Sequence, residues 1–415
     1  MTNPIDACAQ PALLHPVDAI KLLLAQVKPV ADTEVLSLSQ AVGRVLAEDL
    51  VSCIDLPPFD NSAMDGYAFR FDELSGQDTH RLTLAGRSFA GHPFQGQAGA
   101  NTCIRIMTGA PMPAGFDTVQ MQEKTQQEGD KVYIQPPKMR GANVRLRAEE
   151  LTSGTKVLKK GITLRAAELG VLATIGVSHV RVSRRLKVAF FSTGDELRPV
   201  GSELAAGQIY DSNRYSIHGL LHRANVELVD LGVISDDKEA IRAAFRTAAS
   251  ADMILTSGGV SVGDADYIKQ VLAEEGEINF WKLAIKPGKP FAFGKIGSAV
   301  FCGLPGNPVS SMVTFYKLVW PLLQKMQGLE LVPSLTFPAK LTSPIRKQPG
   351  RVEYQRGILS YDAGNQPCVA ITGGQGSGML TSMSLANCFV LLEQEQGDLD
   401  AGTMVRVEPF NSVLS

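Results

Sequence analysis

Two stretches decide how this sequence folds: Leu186-Lys-Val-Ala-Phe-Phe-Ser-Thr-Gly-Asp-Glu196 and Met253-Ile-Leu-Thr-Ser-Gly-Gly-Val-Ser-Val-Gly263. Each opens on a short apolar run and breaks into Gly, Ser, Thr and Asp. A short run that is apolar at successive positions predicts a strand covered on both faces, and the polar break predicts the turn into a helix. Between the two lie a helical pattern over about Ser212–Arg223, a strand at Leu228–Val233, Asp236-Asp237 as a helix cap, and a helix to Ala249. Beyond the second come a helix from Ala265 to Glu275, strands at Ile278–Leu283, Phe291–Gly294 and Val300–Cys302, and a closing helix over Val309–Met326. Strands alternating with helices of this length predict a parallel, doubly wound sheet over 184–330.

The pattern changes on either side of this unit. Val17, Ile20, Leu24 and Val27 stand at helical spacing behind Pro16, whose missing N–H is harmless in a first helical turn. Residues 51–145 carry frequent Gly and Pro between alternating runs such as Cys103–Met107 and Lys131–Gln135, which predict a small β domain. A helical pattern returns around Ala166–Ile175. After Pro333 only short strands with Gly-rich turns follow, consistent with a β barrel or sandwich.

Composition narrows the function. The 415 residues exceed one ordinary core, and 44% hydrophobic with 20% charged residues is an ordinary globular balance. A net charge of −2 provides no chain-wide positive field for nucleic acid or an anionic membrane. Six scattered cysteines without a Cys-x-x-Cys pair argue against a disulfide framework and a thiolate zinc site. Met1–Pro16 lacks a basic segment followed by an apolar stretch, and no apolar run nears the ~20 residues of a spanning helix. These features predict a cytoplasmic protein.

In an open parallel sheet, ligands bind beyond the carboxyl ends of the strands. Five polar or glycine-rich loops are expected there: Ser192–Glu196, Asp236-Asp237, Ser257–Asp266, Lys286–Lys289 and Pro305–Pro308. Ser257, Gly258 and Gly259 open a segment with the composition of a phosphate cradle, since glycines let backbone N–H groups approach an anion. No Gly-Lys-Ser/Thr follows, so it is not a Walker loop; taken alone it also reads as a tight strand-to-helix turn. Lys282, Lys286 and Lys289 suit an oxyanion as compact point charges. Glu196, Asp236 and Asp266 suit a hard cation such as Mg²⁺ bridging to phosphate oxygens, although each could also cap a helix. His218 and His222 stand four apart without a third ligand, so no zinc site is expected. The basic run Arg181, Arg184, Arg185 and Lys187 reads as a solvated linker.

Six stretches together resemble one family. They are Pro58-Phe-Asp-Asn-Ser-Ala-Met-Asp-Gly-Tyr-Ala68, Ile106–Pro111, Phe191–Leu197, Thr256–Asp264, Ile285–Pro290 and Gly303–Val309. In this order, over nearly the whole chain, they resemble the molybdopterin molybdenumtransferases (the MoeA family), to which the E domain of gephyrin is related. The resemblance implies insertion of molybdate into adenylylated molybdopterin, with Mg²⁺-dependent release of AMP. It implies a homodimer whose site is shared between subunits, working with other cofactor-synthesis enzymes such as molybdopterin adenylyltransferase and nucleotide-attaching enzymes. It also implies four domains: a split N-terminal domain (1–50 and 146–183), a β domain (51–145), the α/β molybdopterin-binding domain (184–330) and a C-terminal β barrel (331–415).

Residue by residue, the resemblance marks Asp65, Thr108, Glu196, Asp236, Asp266, Lys282, Lys286, Pro305, Pro308, Arg356 and Ser377 as functional, with Lys286, Arg356 and Ser377 toward molybdate. One segment departs. The family usually reads Arg-x-x-Gly-Glu-Asp-Ile, whereas here it is Arg145-Leu-Arg-Ala-Glu-Glu-Leu151. Ala148 stands for the glycine and Glu150 for an aspartate, so Arg145 and Glu150 are carried over as substrate-binding residues with one added methylene on the carboxylate. Two rival readings are a molybdopterin adenylyltransferase, whose fold 186–328 resembles, and a scaffold. The Met64-Asp-Gly-Tyr67 motif and the β tail argue against the first; the near-complete set of site residues argues against the second.

Overall fold

The computed structural model describes residues 13–74, 76, 78–259 and 267–410. The α/β unit carries a six-stranded sheet in the spatial order Glu227–Ile234, Lys187–Thr193, Met253–Ser257, Ala299–Leu304, Pro290–Ile296, Gly276–Lys282. The first four strands are mutually parallel, and the last two run as an antiparallel extension at one edge. The connections explain the change: helices separate the parallel strands, whereas Pro290–Ile296 and Ala299–Leu304 are joined by a turn too short for a crossover.

Alternation along each strand feeds two cores. Val188, Phe190, Met253 and Leu255 face the helices Ser212–Arg223 and Pro308–Thr314, while Ala189, Phe191 and Ile254 face Lys238–Ala248 and Tyr267–Glu275. With both faces covered, no position in these runs is left for a polar side chain, which is why they read as continuous apolar sequence.

The closing helix is not one regular helix. It runs as α-helix over Pro308–Thr314, as a π-helical turn over Phe315–Val319, and as α-helix again over Trp320–Met326. Pro321 explains the interruption, because a proline inside an α-helix lacks the N–H for, and clashes with, the carbonyl four residues back; a wider turn relieves both.

Two separated pieces of chain meet elsewhere. Thr33–Ser37 pairs with His179–Ser183, and Leu50–Val51 with Lys156–Leu158, around a core of Leu46, Leu164, Leu172 and Val180. Helix Pro16–Gln26 does not join that core; its buried Ala19 and Leu23, with Val27, pack into the α/β unit. Six strands between Gly66 and Ile134 form a curled sheet with an apolar cluster on each face.

At the C-terminal end, Phe337–Leu341, Val352–Tyr361, Pro367–Ile371, Cys388–Leu392 and Met404–Pro409 close into a five-stranded barrel, since Val352–Tyr361 pairs with both Pro367–Ile371 and Cys388–Leu392. A two-residue strand, Ile285–Lys286, leaves the α/β unit and adds in parallel to Val352-Glu353. The sheet and the barrel are thereby stitched together. Among the described residues no helix is long and apolar enough to cross a membrane.

Candidate active site

The strand-end loops of the sheet and one wall of the barrel enclose a cavity of about 780 Å³. All five expected loops reach it: Thr193, Gly194 and Glu196; Asp236; Ser257, Gly258 and Gly259; Lys286 through Lys289; and Pro305 through Pro308. Val260–Asp266 lie outside the described residues, so the expected role of Asp266 is untouched by the geometry.

The cradle segment is built for close backbone approach. Gly258 has φ +94°, and a Cβ there would fall 2.5 Å from the Thr193 carbonyl oxygen, so only glycine fits. Its N–H donates to the Leu304 carbonyl at 3.2 Å. Asn213, in the first turn of helix Ser212–Arg223, donates through Nδ2 to Ser257 Oγ and to the Gly306 carbonyl, both at 2.7 Å. One amide thus ties the cradle to the Pro305–Pro308 loop. Three buried polar atoms of cavity-lining residues, Thr193 Oγ1, Asp211 Oδ2 and Asn213 Oδ1, have no hydrogen-bond partner in the protein. Buried polar atoms are rarely left unpaired, so this concentration marks a polar ligand position.

On one wall stand carboxylates. Burial raises the Asp236 pKa above the ordinary aspartate value, and the neighbouring charges of Asp195 and Glu196 raise it further. Asp237, not Asp236, caps helix Lys238–Ala248: its Oδ1 accepts from Glu239 N and Ala240 N at 3.0 Å, and these bonds hold its pKa down. Capping, which the sequence left open between the two aspartates, thus belongs to Asp237, and Asp236 lines the cavity. Asp211 also caps a helix, accepting from Arg214 N through Oδ1 at 3.0 Å.

On the opposite wall, Lys286 donates to Glu353 Oε1 at 3.0 Å, and the exposed Lys289 lines the cavity beside it. The barrel contributes Arg351, Gln375, Gly376 and Ser377. Ser377 is held by its carbonyl, which accepts from Val309 N at 2.9 Å, at the start of the Pro308–Thr314 helix. Arg356 does not line the cavity. It lies behind that loop at 1% exposure, donating from Nε to Ser382 Oγ at 2.9 Å and from Nη2 to the Gly376 carbonyl at 3.1 Å. Burial pushes its pKa down to about 10.

Other expected residues fall elsewhere. Lys282 is exposed at the end of strand Gly276–Lys282 and is not part of the cavity lining. Lys286, expected in a loop with Pro287, Gly288 and Lys289, is in the short strand paired to the barrel, and the other three lie between strands. Asp65 and Thr108 form a tight pair in the small β unit, Asp65 Oδ1 accepting from Thr108 N and Oγ1, each at 2.8 Å. Those bonds hold the Asp65 pKa below the usual carboxylate value. Arg145 pairs with Asn61, and Glu150 is exposed with its N–H donated to Leu56 O at 2.9 Å; neither lines the cavity. Ala148 has φ +62°, so the position where the family usually has glycine is one that asks for it.

The basic run is anchored rather than free: Arg184 pairs with Asp32 at 3.0 Å and with Asp252 at 2.7 Å. Among the described residues no three His, Cys, Asp or Glu side chains gather as a metal site, His218 and His222 included.

Sequence reasoning missed Asp211, Asn213, Arg351 and Gln375 in the cavity lining, and Glu353 behind Lys286. Asp211 and Asn213 carried a faint signal, since they flank a helix start. Arg351, Gln375 and Glu353 carried none, because only the docking of the barrel brings the first two to the cavity and the third to Lys286.

A doubly wound sheet whose loops frame a polar cavity, closed by a separate barrel, defines a multidomain enzyme equipped for an anionic small molecule. Comparison with known proteins makes this specific. Residues 14–176 match the MoeA N-terminal region (domain I and II), 189–325 a probable molybdopterin binding domain, and 338–410 the MoeA C-terminal region (domain IV). The chain is 46% identical to the molybdopterin molybdenumtransferase of Haemophilus influenzae over 94% of its own length and 97% of that protein. It is 35% identical to the one from Nostoc over 96% and 93% respectively. It is also 34% identical to gephyrin of Dictyostelium discoideum over 96% of its length and 63% of that protein. The crystal structure of the molybdopterin biosynthesis moeA protein from Pyrococcus horikoshii superposes with a TM-score of 0.83 at 30% identity, covering 96% of this chain and all of that one. The chain belongs to the molybdopterin molybdenumtransferase (MoeA) family, transferases of molybdenum-cofactor biosynthesis.

Proposed function

We propose that the cavity inserts molybdate into adenylylated molybdopterin with Mg²⁺-dependent release of AMP, giving molybdenum cofactor. The observation that carries this reading is the division of the cavity into an acidic wall and a basic wall around a glycine cradle. The cradle and the first turn of helix Ser212–Arg223 bind the phosphates of the adenylate through backbone N–H groups other than that of Gly258, which is donated to Leu304 O. One of the two cavity lysines, Lys286 or Lys289, binds the tetrahedral oxyanion, with Ser377 as a further donor; Arg356 makes the loop carrying Ser377 rigid and adds positive charge from behind it.

The acidic wall suits a hard cation. Its donors are all carboxylate oxygens, and the pKa of Asp236 is raised first by desolvation and then by the charges of Asp195 and Glu196, both of which a cation would offset. Glu196 and Asp236, with Asp266 as the third carboxylate expected from the sequence, would hold Mg²⁺. When bound, Mg²⁺ neutralises charge on the phosphates as the phosphoanhydride of the adenylate is cleaved. The residues themselves align phosphate and oxyanion and exclude part of the surrounding water. No side-chain nucleophile is required, since an oxygen of water or of molybdate attacks the phosphoanhydride as AMP separates from the pterin phosphate.

Asp65, Thr108, Arg145 and Glu150 act, in this reading, from a second subunit of a cytoplasmic homodimer onto the same substrate. The split-domain division (1–50 and 146–183, 51–145, 184–330, 331–415) belongs to the same proposal, supported by the pairing of Thr33–Ser37 with His179–Ser183. The decisive experiment incubates purified protein with the pterin adenylate, Mg²⁺ and molybdate, and measures AMP together with active cofactor. AMP formed in step with cofactor, and dependent on both metal and molybdate, is the expected result. Consumption of ATP in its place would reassign the reaction to adenylyl transfer.

A further inference from the structure

Glu353 is a carboxylate buried to 3% exposure in the barrel, and it has no part in the reaction proposed above. Burying an unpaired charge is costly, so its partners define its role. Oε1 accepts from Lys286 Nζ at 3.0 Å and Oε2 from Gln355 Nε2 at 2.9 Å, so both oxygens are fixed. The nearby Lys347 is not its ion-pair partner: that ammonium points to the backbone carbonyls of Gln348, Gln394 and Gln396 at 3.4, 3.2 and 2.7 Å. Register makes the Lys286 contact specific. Lys286 stands directly opposite Glu353 in the parallel pairing, and Val352 N donates to Ala284 O at 2.8 Å one step earlier.

We infer that Glu353 is a positioning residue that selects Lys286, rather than Lys289, as the lysine that meets molybdate. The inference rests on reading the cavity as the site of molybdate insertion. A lysine side chain is long and free to rotate, and an ammonium has three donors. Glu353 engages one donor and fixes the nitrogen at the cavity wall, leaving two for the oxyanion. Lys289, exposed and with no carboxylate within ion-pair reach among the described residues, has no such anchor. The barrel thereby contributes to the chemistry without its carboxylate touching substrate.

The test is a double-mutant cycle on the full-length protein with Lys286→Ala, Glu353→Ala and the double variant, together with Glu353→Gln and a melting curve for each. Glu353→Ala is expected to lower kcat/KM for molybdate about ten-fold, mostly through KM, as displacement of a positioned group does. Added to Lys286→Ala, it should cost nothing further. Glu353→Gln, which keeps an acceptor, should recover most of the loss. A second readout needs no activity: acylation of Lys286 by a small activated ester, followed by peptide mass spectrometry, should be faster in Glu353→Ala than in wild type, with Lys289 unchanged as the internal standard. Should Glu353→Ala fail to fold, Glu353→Met, which fills the same space without the carboxylate, is compared with wild type by the same acylation assay, and a faster rate at Lys286 alone is expected.

Additive losses in the cycle, or a Lys286 acylation rate indifferent to position 353, overturn the inference. A wild-type protein that releases no AMP would defeat the functional reading instead, and acylation would still decide whether Glu353 holds Lys286.

Discussion

On one wall of the cavity Asp236 stands near Asp195 and Glu196, and among the described residues no lysine or arginine pairs with any of them; on the other, Lys286 is already paired with Glu353. The acidic wall is built within the α/β unit, from two loops that each follow a strand. The basic wall is built across two units, from a loop of the sheet and a strand of the barrel. Desolvation and like charges held together without a counter-ion raise the energy of the charged state, and a proton or a metal cation relieves that cost. Opposite charges held together limit the freedom of a side chain before any ligand arrives. One wall is poised by repulsion, the other by restraint.

The contrast can be broken most directly at Asp236. Asp236→Asn is expected to reduce AMP release at least about a hundred-fold, the scale for removal of one electrostatic stabiliser. Stability should move the other way. An acid whose folded pKa is raised binds its proton more tightly when folded, so wild type loses stability as pH rises from below the unfolded value through the raised one. Asn is free of that loss, so its melting temperature relative to wild type should climb over this interval and then level off. A variant that is less stable at neutral pH and fully active would mean that Asp236 is structural.

The next effect in size belongs to the basic wall. A charge-assisted bond contributes about 1.5–3 kcal/mol, so Lys286→Ala should lower cofactor formation by about ten-fold or more. Lys286→Arg should rescue it only in part, since a planar fork replaces a point donor. Titrating molybdate sharpens the result: raising its concentration should recover some activity in the Ala variant if the lost contact is to molybdate, and none if it is to the adenylate.

Asp237 provides the control for Asp236. Asp237→Ala removes the acceptor for two backbone N–H groups and should lower the melting temperature while AMP release stays near wild type. Neighbouring aspartates would then separate cleanly, one acting in catalysis and one in the helix. The smallest effect is expected far from both walls. Ala148 sits at φ +62°, so Ala148→Gly should raise stability by about 0.5–1 kcal/mol, read by chemical denaturation at unchanged m-value.

The same contrast explains what was legible in the sequence. Val188–Phe191 and Met253–Thr256 announced buried strands because both faces of each strand are covered by the chain's own helices, and a one-dimensional pattern records that fully. The five loops could be read for the same reason, since their position follows from strand direction alone. Asp236 and Asp237 could not be told apart, because capping depends on which of two adjacent residues has extended backbone. Lys282 looked equivalent to Lys286 by spacing, yet it is exposed and away from the cavity lining. What separates the two is a parallel pairing with residues 352–353, which nothing local to 278–290 encodes. Arg356 could be marked only through the family resemblance, and its place behind the Gln375–Ser377 loop follows from closure of the barrel. The break in the closing helix was written in Pro321 but was hidden by the apolar pattern running through it.

The excursion of Ile285–Lys286 out of the sheet and onto the barrel also has a kinetic meaning. Lys286 and Glu353 are 67 residues apart in sequence, so their contact closes only after the chain through the second barrel strand has been made and ordered. Contacts of long sequence separation form slowly, because loop entropy is lost before they are rewarded. During synthesis the acidic wall can be complete while the barrel is still emerging, and the ordered lysine is among the last parts of the cavity to arrive. On the function proposed above, the capacity to hold a cation would precede the capacity to hold an oxyanion, and a chain truncated before residue 352 should bring Glu196 and Asp236 together without an ordered Lys286.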